Sequence, residues 1–298
     1  MLVGVAVIYG GNYLVANQAM QEHVPPRAFI LFRVAGAALL FWLIKPRSGK
    51  QRIGQLSLAE KKRLFICALF GVCTNMLFFF EGLKITTPVN ASIMMVSGPI
   101  AILVAGAILL KERISSWQLG GILMGAIGAV VLIVGSNDGA LSSLLGSQVA
   151  LGNIFVLINA SSYAIYLVLV GPLMKKYGAL FVIKWVFTVG TFLVLPFGGP
   201  QLADIHLAHW NATVYWQVAY VVFATTFLTY LGNLLALKYV KPTTVGAYIY
   251  LQPIVASLLS YVVLGEVWTP QMALGAAAIF SGVYFVSFYK PRRAKAGI

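Results

Sequence analysis

Ten unbroken apolar runs dominate this chain, at residues 2–20, 27–44, 63–82, 87–110, 117–135, 149–171, 179–197, 213–236, 243–265 and 269–289. Each is bounded by charge, proline or glycine, and each approaches the ~20 residues that a helix needs to cross a bilayer. In lipid every backbone polar group must find its partner inside the structure, which leaves helices or a closed barrel. A barrel strand would alternate apolar with polar residues; these runs do not, so they are read as ten transmembrane helices. Hydrophobic residues make up 60% of the 298 and charged ones only 9%. Ten crossings of roughly 20 residues leave short connections and no length for a water-soluble catalytic or nucleotide-binding domain. The first run lacks the basic leader of a signal peptide and is expected to remain as helix 1. The expected fold class is therefore an all-α polytopic membrane protein.

The net charge of +14 means something only once its carriers are placed. With the N-terminus inside, the cytoplasmic connections and C-terminus hold Lys45, Arg47, Lys50, Arg52, Lys61, Lys62, Arg63, Lys111, Arg113, Lys175, Lys176, Lys238, Lys241, Lys290, Arg292, Arg293 and Lys295. That is 17 of the 21 basic residues; the outer loops keep Arg27 and Lys84, while Arg33 and Lys184 lie inside helices. The positive-inside rule then expects both termini in the cytoplasm of a multi-pass inner-membrane protein. The charge is topological, and no nucleic-acid partner is expected.

The chain also repeats. A shift of 154 residues superposes Leu83-Lys84 on Leu237-Lys238, Pro88 on Pro242, Pro99 on Pro253, Ile100 on Ile254, Glu112 on Glu266, Gly121 on Gly275 and Gly128 on Gly282. Slightly smaller shifts bring Arg33 onto Lys184 and Tyr13 onto Tyr163. Two five-helix repeats are expected, over 1–140 and 141–298. Five is odd, so the second must enter the membrane from the opposite side, which is the inverted-topology plan of alternating-access transporters.

The residues that carry this pattern resemble the drug/metabolite transporter superfamily, in its ten-helix EamA-type branch. The resemblance rests on Gly10-Gly11-Asn12, on Arg33, and on the segment from Gly82 through Thr86-Thr87-Pro88-Val89-Asn90 to Pro99 and Glu112. In the second half it rests on Lys238 to Pro242, Pro253, Glu266 and Gly282; helix 1 departs from many members in having Tyr9 before the Gly pair. The resemblance implies efflux of small metabolites, often amino acids, through a central cavity between the halves.

Polar side chains in a membrane helix are costly unless they face a partner or a cavity, so their helical phase carries information. Helix 1 presents Tyr9, Asn12 and Tyr13 on one face, and helix 6 presents Asn159, Ser162, Tyr163 and Tyr166. Helix 8 shows Thr226, Thr229, Tyr230 and Asn233, with Asn75 and Phe79 in helix 3 as weaker counterparts. Helices 4 and 9 add Asn90, Met94 and Gly98, and Thr244, Tyr248 and Gln252. Any one of these residues can serve as interhelical glue; as a repeated set they are expected to line a polar, aromatic, substrate-binding cavity.

The charged intramembrane residues are Arg33, Lys184 and Glu81. Each cation is read in two ways, as a side chain snorkelling to the near interface or as the holder of a carboxylate from substrate or from Glu81. Glu112 and Glu266 end helices 4 and 9 and are expected in turn hydrogen bonds. Pro99 and Pro253 fall mid-helix, where each removes a backbone bond, and are expected hinges. Gly120, Gly121, Gly125 and Gly128 suit close helix packing.

No phosphate loop, H-E-x-x-H or Cys/His cluster is present. Cys67 and Cys73 lie six apart in one run, on different helix faces, and His23, His206 and His209 lie in outer loops. No catalytic residue, metal or cofactor is expected. The reading is a non-enzymatic secondary exporter of small neutral or zwitterionic metabolites, amino acids foremost, as a monomer or weak homodimer whose partners are its solute and the lipid bilayer. The rivals are a nucleotide-sugar-like exchanger, a membrane-embedded enzyme and a non-transporting scaffold.

Overall fold

The computed structural model describes residues 1–22, 24–44, 53–86, 91, 94–135, 147–205, 210–264 and 269–288. Among them every regular element is helical. The membrane helices are α1 (Leu2–Glu22), α2 (Pro26–Leu43), α3 (Leu58–Ile85), α4 (Gly98–Leu109) and α5 (Ser116–Gly135). The second half supplies α6 (Ser147–Tyr177), α7 (Ala179–Gly198), α8 (Ala212–Ala236), α9 (residues 242–264) and α10 (Pro270–Phe288). Six of these are long and apolar enough to cross a membrane, and α1, α4 and α5 contribute shorter apolar stretches. Large apolar side chains such as Leu39, Ile108, Ile127, Phe192, Val262 and Leu274 point outward, exposed, as a lipid-facing surface requires. The fold is an all-α polytopic membrane protein, and the expected repeat boundary at 140/141 lies outside the described residues.

Helix ends follow local chemistry. Ser57 and Glu60 close a capping box, Ser57 Oγ accepting from the Glu60 backbone at 3.3 Å and Glu60 Oε2 from the Ser57 backbone at 2.8 Å. The box starts α3 ahead of its apolar run and puts Glu60 in a helical turn, where the sequence pattern placed a loop. Helix α6 likewise runs on through Lys175 and Lys176, cations that favour a helix C-terminus. It is separated from α7 by Gly178 alone, whose φ of 79° is a conformation that suits glycine. Beyond α4, Gly106 O accepts from the backbone N–H groups of Leu110 and Glu112. Glu266 lies outside the described residues.

Packing repeats with the sequence. Helix α2 lies on α7 and α5 on α10, each pair being repeat mates, while α3 and α4 pack on α6 as α8 and α9 pack on α1. The small-residue contacts repeat too. A Cβ built on Gly36 would meet Val222 Cγ1 at 2.7 Å, and one on Gly190 would meet Val72 Cγ1 at 2.6 Å. Both contacts join helices of the two expected repeats, α2 with α8 and α7 with α3.

Four helices depart from regular α-geometry, again in mated pairs. Helix α3 passes through a π-helical stretch at Leu69–Thr74, and α8 through one at Val221–Leu228. Residues Val96 and Ser97 form a turn just before α4, where Ser97 Oγ donates to Met94 O at 2.6 Å, and Pro99 follows within the first helical turn. Helix α9 tightens to 3-10 geometry at Tyr248–Tyr250, and Pro253 follows at once. Irregular backbone at membrane depth is tolerated where it is buried in protein or lines a cavity.

Candidate functional site

Helices α3, α8 and α9 and the segment just before α4, with α1, α2 and α6, surround a cavity. Its wall is made by Leu2, Val5, Ala6, Tyr9, Asn12, Arg33, Asn75, Met76, Phe79, Phe80, Met95, Asn159, Tyr163, Tyr230, Asn233, Val245, Tyr248, Ile249 and Gln252, around roughly 830 Å³ of space that is partly open to solvent.

Most of the wall's polar groups hold one another in place. Asn233 Nδ2 donates to Tyr163 Oη at 2.8 Å, and Tyr230 Oη donates to Gly71 O at 3.0 Å. Asn159 Nδ2 donates to Asn75 O at 2.6 Å, and Asn75 Nδ2 to Asn159 O at 3.4 Å. Gly71 belongs to the π-helical stretch of α3. The side-chain oxygens Oδ1 of Asn12 and Asn159 are left over. Both residues are more than nine-tenths buried, and neither oxygen has a hydrogen-bond partner. An unmet buried acceptor costs about 1–3 kcal/mol.

Arg33 adds charge to this wall. It is 5% exposed, its Nε donates to Thr226 Oγ1 at 3.1 Å, and its guanidinium carbon stands 5.2 Å from the centre of the Phe80 ring. Thr226 Oγ1 in turn donates to Val221 O at 2.7 Å, across the π-helical stretch of α8. Among the described residues no carboxylate lies within ion-pair distance of Arg33; the ion pairs found are Arg27 with Glu81 and Lys176 with Glu60. Its repeat mate is spent differently. Lys184 Nζ donates to Ile44 O at 2.7 Å and lies 5.3 Å from the Trp42 ring, away from the cavity.

Of the residues expected at the site, Tyr9, Asn12, Asn75, Phe79, Asn159, Tyr163, Tyr230, Asn233, Tyr248 and Gln252 come together in the wall. Others do not reach it. Ser162 is buried and donates to Asn159 O in its own helix, and Thr229 donates to Thr225 O. Tyr166 is fully buried, its ring filling the space that Gly71 leaves between α6 and α3. Met94 packs instead in the cluster formed by α5, α9 and α10, and Met95 takes the place at the cavity. Glu81 accepts from Arg27 Nε at 2.5 Å near the helix ends and is not a partner of Arg33. The Tyr13 side chain and Asn90 lie outside the described residues.

Sequence reasoning missed Leu2, Val5, Ala6, Met76, Phe80, Met95, Val245 and Ile249. They are apolar in an apolar chain, so only the register of the polar residues beside them could have pointed to them.

A model of the EamA-like transporter family matches residues 1–134 and 150–288. The chain is 25% identical over 286 residues to an uncharacterized transporter of Archaeoglobus fulgidus, with 94% of each covered. It is 24% identical to the uncharacterized inner membrane transporter YicL of Salmonella typhimurium, over 98% of this chain and 95% of that one. A solved crystal structure aligns at a TM-score of 0.73 and 16% identity, covering 96% of both chains, and shares the fold.

Proposed function

This chain belongs to the EamA-like transporter family, and on that premise we propose that it exports small neutral or zwitterionic metabolites, amino acids foremost, by alternating access of two inverted halves around the central cavity. The observation that carries the reading is the cavity's position and make-up. It is lined by residues from both of the proposed halves, among them Tyr248 and Ile249 of the 3-10 stretch of α9, and presents aromatic rings, amide groups and, among the described residues, one cation. A phosphate-rich solute would call for several cations, and among the described residues the wall presents one.

In this reading residues 1–140 and 141–298 rock against each other, with the breaks ahead of Pro99 and Pro253 as hinges. The protein works as a monomer or weak homodimer in the inner membrane, both termini in the cytoplasm. The cavity side chains are tested by Asn12→Ala, Tyr163→Ala and Asn233→Ala. Each removes a polar group worth about 1 kcal/mol or more and should lower saturable uptake into proteoliposomes about tenfold at low substrate, with expression unchanged. Three variants that transport normally would make these faces packing surfaces.

Orientation has a separate check. Cysteines placed at Gly54, between α2 and α3, and at Asp204, beyond α7, are both at exposed positions. A membrane-impermeant thiol reagent should label Asp204→Cys in intact cells and Gly54→Cys only after lysis. The native Cys67 and Cys73 are buried and give little background. Labelling of both from outside would overturn the assigned topology.

A further inference from the structure

Among the described residues the cavity wall holds one cation, Arg33, and no anion. Burying an unpaired guanidinium is expensive unless a counter-charge or water meets it. Lys184, the repeat mate, has its cost met by the Ile44 carbonyl, so Arg33 differs from it in kind. Its Nε is committed to Thr226 Oγ1, itself fixed by Val221 O, and the fork is backed by the Phe80 ring. The π-helical stretch of α8 thus aims the side chain. The planar fork of arginine suits a carboxylate, to which it can donate two parallel hydrogen bonds.

We propose that Arg33 is the anchor for a carboxylate on the transported solute, so that the cavity selects carboxylate-bearing solutes over neutral solutes and simple amines. Thr226 is a positioning residue, acting through Arg33. This deepens the amino-acid reading above and rests on it.

Thermal unfolding of the purified protein tests the proposal with two probes: a pool of the twenty amino acids, and the matching pool of their C-terminal amides. The acid pool should raise Tm and the amide pool should not. Arg33→Gln should need at least about 30-fold more of the acid pool for a half-maximal shift, the expected loss when one side of a buried charged pair is removed. Arg33→Lys keeps the charge without the fork and should fall between, and Thr226→Val should weaken the response while sparing the preference for acids over amides. Gel filtration identifies any variant that fails to fold, and Arg33→Lys and Thr226→Val then carry the test. An amide pool as effective as the acids on wild type, or a full acid response in Arg33→Gln, overturns the anchor and leaves the transporter reading standing. No response to either pool overturns the amino-acid class, and the anchor with it.

Discussion

Gly121→Val and Gly282→Val will each leave no folded, monodisperse protein, while Gly120→Val, one residue away, will behave as wild type. The reason is the contact between α5 and α10. A Cβ on Gly282 would stand 2.5 Å from Gly121 O, 2.7 Å from Gly125 N and 2.9 Å from Gly125 Cα. One on Gly121 would stand 2.9 Å from Gly282 O and 2.9 Å from Val286 Cγ2. The obstacles are largely backbone, so no rotamer change can relieve them, and valine adds two methyls beyond the Cβ. Overpacking a core ordinarily costs about 1–3 kcal/mol; here the helices must separate, and in lipid no hydrophobic effect holds them once close packing is lost. Gly120 faces outward with nothing within 4 Å. The readouts are detergent-extracted yield, gel-filtration profile and Tm. A well-folded Gly282→Val protein would mean that α5 and α10 do not meet as described.

The same contact shows what the sequence could and could not say. The 154-residue shift mates Gly121 with Gly275 and Gly128 with Gly282. In the structure Gly121 packs on Gly282, and a Cβ on Gly128 would meet Gly275 O at 2.7 Å, so each glycine packs on the other's mate. A repeat in sequence announces two like halves; the swapped contact needs the helices' crossing, which no local pattern encodes. Ten helices were legible because lipid allows so few backbone solutions. The cavity was legible where helices were regular, as along Tyr9 and Asn12. Phase reasoning assumes 3.6 residues per turn, and it loses register across a break: Met95 replaces Met94 next to the turn at Val96 and Ser97. Ser162 and Thr229 fail for a different reason. A hydroxyl in a helix can satisfy itself on a carbonyl of its own preceding turn, so its polarity demands no cavity. Arg33 and Lys184 looked alike in sequence, and only the reach of Lys184 to Ile44 O separated them.

Exchange should outrun net transport by at least about tenfold, because emptying the cavity strands a buried cation. With solute bound, Arg33 is neutralised as the cavity closes. With the cavity empty, closing it leaves the guanidinium with Thr226 and the Phe80 face but no anion. Stripping one partner from a buried ion pair costs about 3–5 kcal/mol; water retained in the cavity lowers that figure, and even 1.4 kcal/mol slows the empty return tenfold. Counterflow of the labelled amino-acid pool into proteoliposomes loaded with unlabelled solute should therefore be fast, and uptake into vesicles without internal solute slow. Arg33→Gln should bring the two rates together while weakening affinity, a pairing that simple misfolding would not produce. Coupling to protons would instead require a group that is alternately hydrated and desolvated as the cavity switches. Among the described residues the wall holds neither carboxylate nor histidine. Glu81 is partly exposed and held by Arg27 at 2.5 Å, so Glu81→Gln should leave counterflow unchanged without any ion gradient. Strict dependence on an imposed pH gradient, abolished by Glu81→Gln, would identify Glu81 as a proton site and refute the exchange mechanism. Equal rates of net uptake and counterflow in the wild type would show that closing around an unpaired Arg33 carries no barrier, and the electrostatic account of exchange would then be wrong.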